Sequence, residues 1–193
     1  MATIRTRTTQ LEAINTMLST IGEAPVNSLT GSLPVDASMA VNILNEVNRE
    51  VQSAGWKFNT SWKKSIQRDV NNKIVIGTDV LHIEFDHLRY SKASYDPVMR
   101  GSYLYNLVDE SYTWNKDFDY VTVIHLLDLE LIPEQARRYI TIRASRIFHD
   151  RTLGANTLHK FSVADEEKSL VILRQAEAST GDYSVFDSPD QIY

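Results

Sequence analysis

The sequence predicts an α+β fold: a four-helix bundle made by an N-terminal and a C-terminal helix pair, with an antiparallel β insert between them. Three observations carry this expectation. Apolar residues recur at helical intervals up to Gly55, alternate with a period near two through the middle of the chain, and return to helical spacing at Pro133. The predicted organisation is residues 1–56 with 131–182 as a discontinuous helical bundle, 57–130 as the β insert, and 183–193 as an irregular tail.

In chain order, Thr9 and Glu12 have capping-box spacing, and Leu11, Ile14, Leu18 and Ile21 follow at helical intervals, so a helix is predicted over 9–21 with Gly22 as its stop. A second helix is predicted from Asp36, a favourable N-cap, through Ala40, Leu44, Val47 and Val51 to Gly55. The segment Leu81–Asp86 alternates apolar and polar residues strictly, as a half-buried strand does. Further strands are predicted at 57–66, 73–76, 102–108, with Tyr103, Tyr105 and Leu107 on one side, and 121–129. Pro133 suits a first helical position, and Ala136, Ile140, Ala144 and Ile147 form a core-facing stripe that ends by Gly154. The fourth helix is predicted over 156–178. Leu158, Phe161, Ile172 and Ala176 lie roughly opposite Val163 and Leu170, which implies contact from two directions.

A chain of 193 residues with 42% apolar content can bury a full core without metals or disulfides. It contains no cysteine, which removes thiolate nucleophiles, disulfides and Cys-ligated metals, and makes a reducing compartment the natural expectation. No apolar stretch is long enough for export or membrane insertion to be expected. The net charge of −5 argues against nucleic acid as a tightly held ligand, though not against its passage. Charge is also unevenly placed. Five arginines lie between Pro133 and Arg151, whereas Glu177–Tyr193 holds four acids and no cation, which points to contacts within or between copies.

Few residues invite a chemical role. His82, Glu84 and Asp86 would share one strand face beside His87, with ligand types that suit a divalent metal, but the alternation itself demands polar residues there. Glu84 and Asp86 could be read as the carboxylate pair of a hydrolase acting on carbohydrate, a chemistry that also needs a sugar cleft and one carboxyl in an apolar setting. The glycines are isolated, so neither a phosphate loop nor a dinucleotide fingerprint can be drawn through them, and no Gly-x-Ser-x-Gly elbow gives His125, His149 or His159 a nucleophile. No catalytic residue, metal or cofactor is assigned.

The third helix is more informative. Opposite its core stripe, Arg138, Ile142 and Arg146 recur at i, i+4 and i+8, flanked by Tyr139 and Arg143. This is the residue mix of a protein interface, and equally that of a solvated basic face or of pairs with acids of the same chain.

Several stretches resemble tail tubular protein A of short-tailed bacteriophages. They are Leu11–Asn15 continuing through Leu18, Ile21–Glu23, Pro25–Val26 and Leu29; Ile43–Arg49 followed by Gln52–Asn59; and Ala144–Phe148 with Arg151 and Gly154. The most specific is Gln52-Ser53-Ala54-Gly55-Trp56-Lys57-Phe58-Asn59, in which Trp56 and Phe58 are expected to anchor the insert on the bundle. Residues 60–130 and the tail beyond 180 carry little of the resemblance. The family resemblance implies a non-enzymatic virion protein of the tail, present in the host cytoplasm before assembly. It further implies a dodecameric ring that joins the portal protein to the tail nozzle protein (tail tubular protein B), offers attachment to tail fibres and lets DNA pass. The other readings are the carbohydrate hydrolase above and a bacterial adaptor unrelated to phage.

Overall fold

The computed structural model describes residues 6–154 and 161–180. It is an α+β protein with four α-helices and small antiparallel sheets in the order α1 Gln10–Thr20, α2 Val35–Gln52, β1 Thr60–Ile66, β2 Val80–Glu84, β3 Pro97–Arg100, β4 Tyr103–Asn106, β5 Phe118–His125, α3 Glu134–Leu153 and α4 Val163–Thr180. It divides into two compact units. Residues up to Asn48 with those from Leu129 onward form one, and Arg49–Asp128 form the other.

In the helical unit, α1 begins as its sequence requires. Thr9 and Glu12 form a reciprocal capping box. At the other end Glu23 N donates to Leu18 O at 3.1 Å across Gly22, whose φ of +82° lets the chain turn out of the helix. The start of α2 lies at Val35 behind Pro34, so Asp36 stands in the first turn instead of at the cap, where its charge still complements the helix dipole. Helix α3 starts at Glu134, with Pro133 as the capping residue.

Both α1 and α4 pack against α3. Ten of the twenty residues of α3 are buried, among them Ala136, Ile140, Ala144 and Phe148 with no exposed surface. A helix contacted on two sides shows no single apolar stripe. Arg151 of α3 also grips both carboxylate oxygens of Glu46 on α2, at 2.8 and 2.9 Å.

Helix α4 starts later than its sequence suggests. Its first residue is Val163, and Ser162 and Asp165 exchange hydrogen bonds at 2.9 and 3.2 Å in the manner of a capping box. Phe161 therefore precedes the helix. The expected start at Asn156, with Leu158 on one face, lies outside the described residues, as do the tail at 183–193 and the first five residues.

The β unit has a three-stranded antiparallel sheet ordered β1-β5-β2 and a two-stranded ladder β3-β4. The expected strand at 73–76 is no strand but an extended run beside β4, bridged at Val75–Tyr103 and Lys73–Thr113. The strand expected over 57–66 opens with a 3-10 turn at Lys57–Asn59, and β3 was not legible in the pattern. The core gathers Ile74, Ile76, Ile83, Phe85, Leu104 and Val121 around Phe118, which is met edge-on by Phe85, Tyr90, Tyr95 and Trp114 at 5.0–5.5 Å. Such edge-to-face contacts each add about 0.5–1.5 kcal/mol beyond burial.

The division at Asn48/Arg49 falls inside α2 because the last turn of that helix bonds to the β unit. Gln52 is fully buried and clamps the Leu127 backbone in both directions, donating from Nε2 at 2.8 Å and accepting at Oε1 at 2.9 Å. Asn59 Nδ2 donates to Gln52 O at 2.9 Å and to His125 O at 2.7 Å. The entry and exit of the strand block are thus fastened to each other by two buried amides that bond to backbone groups.

Candidate assembly surfaces

The residues expected at a subunit or portal interface occupy three different environments. Tyr139 and Ile142 are buried in the chain's own fold, at 7% and 3% exposure. Arg143 and Arg146 converge on one carboxylate of α4: Arg143 reaches Glu166 Oε1 at 2.5 Å and Arg146 Nε reaches Glu166 Oε2 at 2.6 Å. Arg146 also lies 3.4 Å from Asp150. Arg138 alone of the five is exposed. Its guanidinium stands 5.4 Å from the Phe161 ring and lines a polar groove of about 500 Å³ between α1 and α3, with Thr8, Glu12, Asn15, Thr16 and Thr141.

The physical reason is the placement of α4. Its buried face carries Glu166, Ser169 and Leu173, so a polar stripe meets the basic side of α3. Among the described residues, helix α3 is contacted from two directions, by α1 and by α4. On α4, Val171 points away from the buried stripe with Val163 and Ile172 on its flanks, and the three are 50%, 58% and 46% exposed.

Sequence reasoning missed Arg137, which is 3% exposed. Its guanidinium donates to the carbonyls of Ile132 at 2.9 Å, Thr8 at 2.7 Å and Glu130. Glu134 receives the Thr8 amide at 3.0 Å, so both side chains hold the segment before α1 against the start of α3. No spacing signal separates Arg137 from its exposed neighbour Arg138. Gln52 and Asn59 were visible only as members of the Gln52–Asn59 run.

Of the expected anchor pair, Trp56 and Phe58 are half-buried with rings stacked 6.4 Å apart and 5° from parallel, and Trp56 Nε1 donates to Val51 O at 2.7 Å. Gly55 beside them has φ +73°, and an added Cβ would stand 2.7 Å from Ile124 Cδ1. A side chain there would strain the backbone at this positive φ and require the Ile124 tip to move.

His82, Glu84, Asp86 and His87 are all exposed, while Ile83 and Phe85 between them are buried, as the alternation requires. Asp86 Oδ1 receives the Leu88 amide at 2.9 Å and so shapes a turn. Among the described residues, no three His, Asp or Glu side chains come together as a metal site would need. His125 Nδ1 lies 2.9 Å from Asp79 Oδ2, and that hydrogen bond holds the Asp79 carboxyl below the usual carboxylate range. Asp79 O also accepts from Leu126 N. The pair pins a loop to the end of β5. No helix among the described residues is long and apolar enough to cross a membrane.

Comparison with curated proteins finds no match. Comparison with protein families matches residues 11–183 to the tail tubular proteins, a span that includes both helix pairs and the strand block. The chain belongs to the tail tubular protein family, structural components of phage tails that assemble with other tail proteins.

Proposed function

We propose that this chain is a ring-forming adaptor that joins the phage portal to the tail nozzle, offers attachment to tail fibres and encloses a lumen for DNA. The observation that supports this reading most is the helical unit's pair of unlike surfaces. One is the exposed outer side of α4 around Val171, and the other is the polar groove beside Arg138. A closed ring of identical subunits requires heterologous contacts in which two different faces meet. A helical bundle closed by all four helices would hold both faces rigidly, with Trp56 and Phe58 anchoring the strand block to it. Twelve copies are expected from the resemblance to tail tubular protein A. Partners are the portal, the nozzle protein and the fibres, and the working location is the virion tail after assembly from the host cytoplasm.

The reading is tested by mixing the purified protein with purified portal and, separately, with nozzle protein, then measuring particle mass. The expected outcome is a complex of fixed stoichiometry with each. A chain that stays free of both is no adaptor.

A further inference from the structure

We propose that the exposed face of the β3-β4 ladder is a docking surface for a second protein of the tail, one that offers carboxylates flanked by apolar side chains. The inference rests on membership of a tail protein family and not on ring formation.

The face is defined by register. Val98 lies opposite Tyr105, and Arg100 opposite Tyr103. On the other side of β4, Val75 bridges Tyr103, and Lys73 bridges Thr113. Residues directly opposite in an antiparallel ladder project to the same side. Lys73, Val75, Val98, Arg100, Tyr103 and Tyr105 therefore share one face. The reverse face sends Ile74, Ile76, Leu104 and Met99 into the core. A sheet buried on one side ordinarily shows water a polar surface on the other. This one shows aromatic and aliphatic groups instead. Tyr103 is 37% and Val75 58% exposed, and Tyr112 (39%), from the following loop, sits edge-on to Tyr103 at 6.3 Å and Tyr105 at 4.9 Å.

Cations complete the surface. The Arg100 guanidinium lies 3.8 Å above the Tyr105 ring and Lys73 Nζ 5.6 Å from the Tyr103 ring. Each ring face is thus capped by positive charge that remains open to an incoming anion. Among the described residues, none of the six in this register is an acid, and the neighbouring Asp69 turns its Oδ1 to the Lys73 amide at 2.8 Å. Asp109 in the adjacent loop receives a hydrogen bond from Asn106 at 2.7 Å. Tyrosine and arginine beside exposed aliphatics are the residue types that dominate binding at protein interfaces. Two cations are too few to hold a nucleic-acid backbone, which also offers nothing to Val75, Leu107 or Val108. Charge complementarity then selects a protein partner that offers carboxylates to Lys73 and Arg100.

The test places a photo-crosslinking amino acid at Tyr112, and in a second phage at Val75, and irradiates intact virions. Leu88, fully exposed and outside this face, is the control position. The expected result is an adduct from both test positions to one other tail protein, absent from Leu88. It should fall at least tenfold when Lys73→Glu and Arg100→Glu are introduced together at unchanged unfolding temperature. An adduct to DNA, an adduct only to another copy of this chain, or no yield above the control overturns the proposal. A ring can be absent while this adduct forms, so the two readings fail separately.

Discussion

Arg146 Nε stands 2.6 Å from Glu166 Oε2 while Arg143 holds the other oxygen at 2.5 Å, so a single carboxylate fastens α4 to two turns of α3. Glu166 is 8% exposed, and its removal would leave two partly buried guanidinium groups facing each other. Loss of one partner of a buried pair costs about 3–5 kcal/mol. Both arginines keep about a quarter of their side-chain surface, so Glu166→Gln is expected at the low end, about 3 kcal/mol. Chemical denaturation measures this. A loss below about 0.5 kcal/mol, the range of ordinary surface substitutions, would contradict the clamp.

The same geometry decides how an interface on α3 can be probed. Charge reversal at Arg146 would set a third carboxylate beside Glu166 and Asp150, so folding would suffer before assembly was tested. Arg138 is exposed and pairs only loosely with Phe161. Arg138→Glu is therefore expected to leave unfolding within about 0.5 kcal/mol of the parent, and to block incorporation into tails. Tails that still take up this variant would show that the position is merely solvated.

Asp79 gives a dependence on pH. The hydrogen bond from His125 lowers its folded pKa below its unfolded value. A depressed acid pKa contributes stability that is present above the unfolded pKa and lost as pH falls through the folded one. Asp79→Asn should thus destabilise the protein at neutral pH, and the gap between variant and parent should close as pH falls below about 4, the ordinary Asp range. Thermal unfolding across this range is the check. A gap that widens in acid would reverse the assignment.

The helices and their order were legible because each is framed by local chemistry: Thr9 with Glu12, Gly22, Pro133 and Gly154 act within a few residues of themselves. The alternation through Ile83 and Phe85 likewise places a strand without reference to the rest of the chain. What failed depends on partners distant in sequence. Arg143 and Arg146 look like a free basic face until Glu166, twenty or more residues later, is laid against them. Residues 73–76 have strand composition, yet their hydrogen bonds form only isolated bridges to β4 and the loop after it. Arg137 and Arg138 are adjacent and chemically identical, and only the three carbonyls around Arg137 separate a caged side chain from an exposed one.

Charge bears on the lumen of the proposed ring. Twelve copies of a chain of net charge −5 sum to about −60, and a passage that DNA crosses quickly gains nothing from retained phosphate contacts. The lumen is expected to be lined by acidic and neutral polar side chains, and free protein to show no retention of duplex DNA at physiological salt. A gel shift at low micromolar protein that weakens steeply with salt would point to a surface that grips the genome.

The most direct measurement is single-particle imaging of the protein assembled on its portal. The account predicts a closed ring of twelve copies, coaxial with the portal, with an open central channel and each subunit presenting α4 to the α1/α3 groove of its neighbour. Single copies scattered on the portal, or a ring whose neighbours meet through neither surface, would contradict it.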